Sequence, residues 1–267
     1  MSIPSHFLTL LRNEITKVRR HILPYFGFIA VGLVCVIIYF VAGQLSDSAT
    51  TNAWGYVGFS MQMVFTDIGP IVVVSFSSRL LSQETRGGTI RSLLAAPVYR
   101  WEIYVVKAMT GLLYMIVLSA AALLLSFVLA RVHYHFGAVS DAYGVIYSNK
   151  QVLHQFLIGY ALSWIPLAAL VMYGLLISTI FRQTGTAMSV GITSLFLIDF
   201  TKHLAGLDPY IFTRDINYSW LTLQQMTQGM DYAWRPDVWR MMTLSGVSAI
   251  VTFFAGLVIF VREDLNH

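Results

Sequence analysis

Residues 108–130 read AMTGLLYMIVLSAAALLLSFVLA, an apolar run without one charged side chain. A helix rises 1.5 Å per residue, so roughly 20 such residues cross the ~30 Å hydrocarbon core of a bilayer. Backbone N–H and C=O groups cannot stay unpaired in lipid, which restricts a run of this kind to a helix. The pattern repeats on both sides. Expected spans lie at about 22–43, 57–81, 104–130, 155–181, 185–205 and 241–261. The fifth, beginning GTAMSVGITSLFLIDF at residue 185, is the weakest and runs into Asp199 and Lys202. These runs are too long for the roughly ten-residue alternating strands of a membrane β-barrel. The expected fold class is therefore all-α: one polytopic membrane domain over residues 1–267, with six transmembrane helices.

Composition agrees. The chain is 57% hydrophobic and 11% charged, with a mean hydropathy of +0.67; soluble domains carry about 25% charged residues. The net charge of +4 does not form a nucleic-acid-binding face, because the basic residues flank apolar runs. With the N-terminus inside, eleven of the 17 Lys and Arg fall on the cytoplasmic side. They include Arg12, Lys17, Arg19, Arg20, Arg79, Arg86, Arg91, Arg100 and Lys107. The positive-inside rule thus predicts both termini in the cytoplasm. The single cysteine, Cys35, cannot form an internal disulfide. The run 22–43 exceeds the 7–15 apolar residues of a cleaved signal and reads as a permanent span.

Before the first span, residues 5–21 (SHFLTLLRNEITKVRRH) place Phe7, Leu10, Leu11, Ile15 and Val18 on one helical side, with Arg12, Glu14, Lys17 and Arg19 largely off it. This predicts an amphipathic helix lying on the inner leaflet. The outer loop 206–240 is rich in Tyr and Trp, and SWLTLQQMTQ (219–228) predicts a short helix capped by Ser219. Two roles stand for its rings: anchoring at the outer interface or packing between spans.

Several chemistries find no support. There is no GxxxxGK[ST] phosphate loop, no HExxH and no GxSxG elbow. His133 and His135 make only a two-ligand pair in an outer loop, so no metal site and no catalytic residue is assigned, and the chain is expected not to be an enzyme. Ionisable groups within spans are candidate functional residues by default. Asp67 lies about 18 Å from Arg79 along a helix, near mid-membrane, and Pro70 follows it. It either lines a substrate pathway, or bonds to a neighbouring helix or sits in an outer vestibule. Asp199 and Lys202, three apart, are expected to pair or snorkel.

The polar interruption at 82–107, SQETRGGTIRSLLAAPVYRWEIYVVK, carries the strongest signal. Gly87-Gly88 ends the preceding helix, Thr89 is a suitable N-cap for a new one, and Pro97 stops that new helix. Ile90, Leu93 and Leu94 form one apolar ridge on about two helical turns. So short a helix is not stable alone in water and needs a partner surface. The same residues carry a resemblance. Glu84, Gly88, Thr89, Ile90, Leu93, Leu94, Pro97, Val98, Arg100 and Lys107 resemble the ExxxGT(I/L)xxLLxxPVxR…K signature of ABC-2-type transporter permeases. The resemblance implies that 84–97 holds a coupling helix docked on a separate ABC ATPase subunit, two copies per transporter, with a second permease copy alongside. It also implies ATP and Mg on that partner, and no cofactor on this chain. Ile90, Leu93 and Leu94 would be the buried ridge, with Glu84, Arg86 and Arg91 as rim pairs. The implied function is an ATP-driven exporter with alternating access. The alternative is a mechanotransmission subunit that moves no substrate and acts on an external accessory protein. Membrane lipid is the remaining expected partner, and nucleic acid is not one.

Overall fold

The computed structural model describes residues 3–42, 52–86, 99–141, 144–204, 210–230, 234 and 237–262. The protein is helical. Helix α1 (Ile3–Arg20) precedes α2 (Leu23–Ala42). The second apolar segment is α3 (Ala53–Met63), a π-helical turn (Val64–Ile68) and α4 (Gly69–Arg79), followed by the short α5 (Ser82–Arg86). Then come α6 (Arg100–His133), α7 (Asn149–Ile180), α8 (Thr184–Leu204), a 3-10 turn (Phe212–Ile216), α9 (Tyr218–Thr227) and α10 (Asp237–Arg262). One small departure from an all-helical chain is the antiparallel hairpin of β1 (Val139–Asp141) and β2 (Gly144–Tyr147).

Among the described residues, five helical segments are long and apolar enough to cross a membrane: Leu23–Val41, Ala53–Arg79, Arg100–His133, Asn149–Ile180 and Asp237–Arg262. The protein is thus a multi-pass membrane protein. The fifth expected span, 185–205, is a helix of 21 residues in place, but Thr184, Gly185, Thr186, Asp199 and Lys202 leave it outside those five. Several helices extend beyond the apolar runs. The second segment starts at Ala53, where the Asn52 side chain accepts from Trp54 N–H. Helix α7 starts at Asn149, through a reciprocal cap. The Ser148 hydroxyl accepts from Gln151 N–H, and the Gln151 side chain accepts from Ser148 N–H at 2.9 Å. Helix α6 starts at Arg100, where Glu102 accepts from Tyr99 N–H at 3.1 Å.

Helix α7 is the centre of the bundle. It packs against α4, α6, α8, α9 and α10. Small residues permit the closest approaches, as expected where lipid supplies no hydrophobic drive between helices. A methyl group on Gly174 of α7 would collide with the Ser77 hydroxyl of α4. One on Gly191 of α8 would lie 2.6 Å from the Ser78 hydroxyl. Helix α4 is thereby held between α7 and α8.

Helix α9 matches the expected 219–228 helix to within a residue. It packs on α3 and α7. Trp220, Leu223 and Met226, on one side of it, are fully buried, and the Trp220 ring stacks on Phe65 at 5.9 Å. Its first residue is preceded by Asn217 rather than capped by Ser219. Of the two roles open for the outer rings, packing holds for Trp220, whereas Tyr210 and Trp239 are exposed.

Candidate functional site

Two polar regions stand out in this apolar bundle. The first lies where α1, α5 and α6 meet. Helix α4 ends at Arg79, because the next N–H groups turn from its carbonyls to a side chain of α7. The Ser82 hydroxyl donates to Ser78 O at 3.0 Å, and the Ser178 hydroxyl of α7 accepts from the N–H groups of Leu81 and Ser82 at 2.9 and 3.0 Å. The chain turns and α5 starts, which aims Glu84 at the base of α6. There Lys107, 3% exposed, is reached by two carboxylates from different elements.

The result is a closed ring of alternating charge. Lys107 Nζ lies 2.5 Å from Glu14 Oε2 and 2.7 Å from Glu84 Oε1. Lys17 Nζ lies 2.7 Å from Glu14 Oε1 and 2.9 Å from Glu84 Oε1. Two acids and two bases sum to zero, which is what allows the three buried members, Glu14, Glu84 and Lys107, to stay ionised out of water. Burial pushes the Glu14 carboxyl up, but the Lys107 and Lys17 ammoniums outweigh it and hold it below its ordinary range. Burial likewise lowers Lys17, and its bonds to Glu14 and Glu84 more than reverse this, leaving it raised. A further link, His21 Nε2 to Gln83 Nε2 at 2.8 Å, ties the end of α1 to α5.

This geometry changes two expectations. Glu14 does not lie off the apolar side of α1. With Leu10, Leu11 and Val18 it falls on the side facing α6, as the one acid in that stripe. Glu84 faces inward, 6% exposed, so it is part of the ring and not placed as a rim group for a partner. Among the other predicted docking residues, Arg86 ends α5. Arg100 starts α6 and donates to Val261 O at 3.2 Å, tying that helix to the end of α10. Gly88, Thr89, Ile90, Arg91, Leu93, Leu94 and Pro97 lie outside the described residues. The ring therefore secures both flanks of that segment.

The second region surrounds Asp67. Pro70 has no N–H to continue the α-helical ladder. Just before it the helix widens to a π-turn, closed by Gly69 N–H to Val64 O; such turns recur at functional sites. Asp67 is exposed on this turn. It faces a cavity of about 310 Å³ also lined by Asp199, Lys202, Thr213, Arg214 and Asn217. Asn217 donates to Thr66 Oγ1 at 3.3 Å across it. Asp199 and Lys202 pair at 2.5 Å, as expected. Behind the wall, Asp215 is buried and bonded to Arg240 at 3.4 Å; burial raises its carboxyl pKa and Arg240 only partly offsets this. Asp67 thus contributes to the wall of a polar vestibule shared with the 212–217 turn. His133, by contrast, is engaged by the Tyr39 hydroxyl at 2.5 Å, and among the described residues no three His, Cys, Asp or Glu side chains gather to hold a metal.

A bundle of membrane-crossing helices, with a polar ring at one end and a polar vestibule within it, defines a polytopic all-α membrane protein by class. The family described as ABC-2 family transporter protein matches residues 10–199. The chain belongs to that family, as an ABC-2-type permease. No curated protein matches it.

Proposed function

We propose that the chain is the transmembrane permease subunit of an ATP-driven ABC exporter, working as a dimer with two separate ATPase subunits. The observation that carries this is the Glu14–Lys17–Glu84–Lys107 ring. It fastens the element before residues 87–98 and the one after them to each other and to α1. A displacement of that segment by a partner is then delivered to α4, α6 and the N-terminal helix together, not absorbed in a loose loop. Residues 87–98 dock on the ATPase, with Ile90, Leu93 and Leu94 as the buried ridge and Arg86, Arg91 and Arg100 at its edge. ATP and Mg are bound by that partner. Helix α8 completes six spans, α1 lies on the inner leaflet of a bacterial plasma membrane, and both termini are cytoplasmic.

Asp67 and its vestibule form part of the substrate pathway. The inward packing of α9 takes Trp220 out of reach of an external partner, which favours this over force transmission through that ring. The test is Leu93→Asp, assayed with the co-purified ATPase. A charge in a docking ridge leaves membrane insertion intact and uncouples ATP hydrolysis from transport. Full coupling in that variant would remove the ridge from the mechanism.

A further inference from the structure

The last residue of α4 is not used by the ring. Arg79 is 5% exposed, and its guanidinium carbon lies 5.8 Å from the Phe76 ring centroid. Among the described residues it makes no hydrogen bond or ion pair. It lines a cavity of about 270 Å³ together with Glu14, Lys17, His21, Glu84 and Lys107. The ring charges cancel one another, so the net charge facing this cavity is the positive charge of Arg79. A buried cation without a counter-charge is unfavourable, and a planar guanidinium fork suits phosphate oxygens.

Val18 lines both this cavity and a second one of about 390 Å³. The second is a groove between α1, α2 and α6, walled by Ile15, Pro24, Phe28, Leu113 and Val117. Leu113 and Val117 are 38% and 55% exposed on a membrane-crossing helix, so the groove opens toward acyl chains. A free phosphate ion gains nothing from such a groove, whereas each methylene buried in it adds to affinity. We propose that Arg79 holds the headgroup phosphate of an anionic phospholipid whose acyl chain lies in the groove between α1, α2 and α6, pinning the N-terminal helix to the bundle.

The test uses the purified, delipidated full chain, with lipid binding read by native mass spectrometry against phosphatidylglycerol, diacylglycerol and inorganic phosphate. Phosphatidylglycerol binds about tenfold tighter than diacylglycerol, which has the acyl chains but no phosphate, the worth of one charged hydrogen-bonded contact, and inorganic phosphate does not displace it. Arg79→Gln brings the ratio of the two lipids close to one, and Arg79→Lys keeps part of it. Leu113→Trp, which fills the groove, weakens both lipids and leaves their ratio unchanged. An unchanged ratio in Arg79→Gln overturns the proposal, and displacement by inorganic phosphate assigns the site to a free anion instead. Should Arg79→Gln not fold, undiminished binding of both lipids to Leu113→Trp overturns it on its own.

Discussion

Replacing Lys107 with Met keeps the length and apolar stem of the side chain but removes the cation shared by Glu14 and Glu84. Both carboxylates remain buried, with side chains 9% and 8% exposed. Breaking a buried ion pair from one side costs roughly 3–5 kcal/mol. Lys17 remains within 2.9 Å of both acids, but its own side chain is 47% exposed, so water and salt screen its attraction. The low end, about 3 kcal/mol, is therefore expected for Lys107→Met. Lys107→Met combined with Glu84→Gln removes one charge of each sign and restores neutrality. The double variant should fall short of the sum of the singles by roughly 1–3 kcal/mol, as for residues in one network. Reversible unfolding in detergent, titrated with denaturant, reads both quantities. Trypsin cleavage after Arg19 and Arg20 reports whether α1 has come away. Additive single effects, or a Lys107→Met cost under about 1 kcal/mol, would refute the ring as a mutually supporting unit.

The same geometry sets a pH dependence and a packing limit. The folded-state pKa of Glu14 is depressed, so its contribution is complete above its ordinary value of 4.5 and is lost as pH falls through the folded value. Lys17, raised, contributes below its ordinary 10.5 and loses that as pH rises through its folded value, weakly because it is half exposed. Protease protection of α1 should thus hold from about pH 5 to 10 and decline in acid, and Glu14→Gln should lack the acid decline while being less stable at neutral pH. Gly174→Leu places a branched side chain against Ser77 of α4. Overpacking there should cost about 1–3 kcal/mol and lower the thermal midpoint, while the same change at the open Gly246 should have little effect.

The membrane-crossing helices were readable because lipid leaves one solution for an apolar run, and five of the six expected spans meet the length and hydropathy needed. The fifth run was weak for a visible reason: Gly191, which lets α8 approach α4, and Asp199 and Lys202, which line the vestibule, lower its hydropathy. The ring was not readable as a ring. Glu84 and Lys107 stand in the 82–107 motif, but Lys17 meets Glu84 across 67 residues and Lys107 meets Glu14 across 93, and spacing encodes no such meeting. One signal was available: Glu14 falls at helical spacing with Leu10, Leu11 and Val18, an acid inside an apolar stripe. Likewise Trp220, Leu223 and Met226 recur every three residues, a buried face that the surrounding polar residues of α9 obscured. The π-turn at Asp67 has a local cause in Pro70, yet proline alone predicts a kink and not the vestibule beside it, which needs the distant 212–217 turn.

The central claim is that residues 87–98 meet a cytoplasmic ATPase. With Cys35 replaced by Ala and a single cysteine placed at Leu93, a short bifunctional crosslinker applied to the assembled transporter should join this chain to the ATPase. A cysteine at Tyr210, exposed and expected on the outer side, should not. Crosslinking from Tyr210 and none from Leu93 would invert the topology and contradict the account.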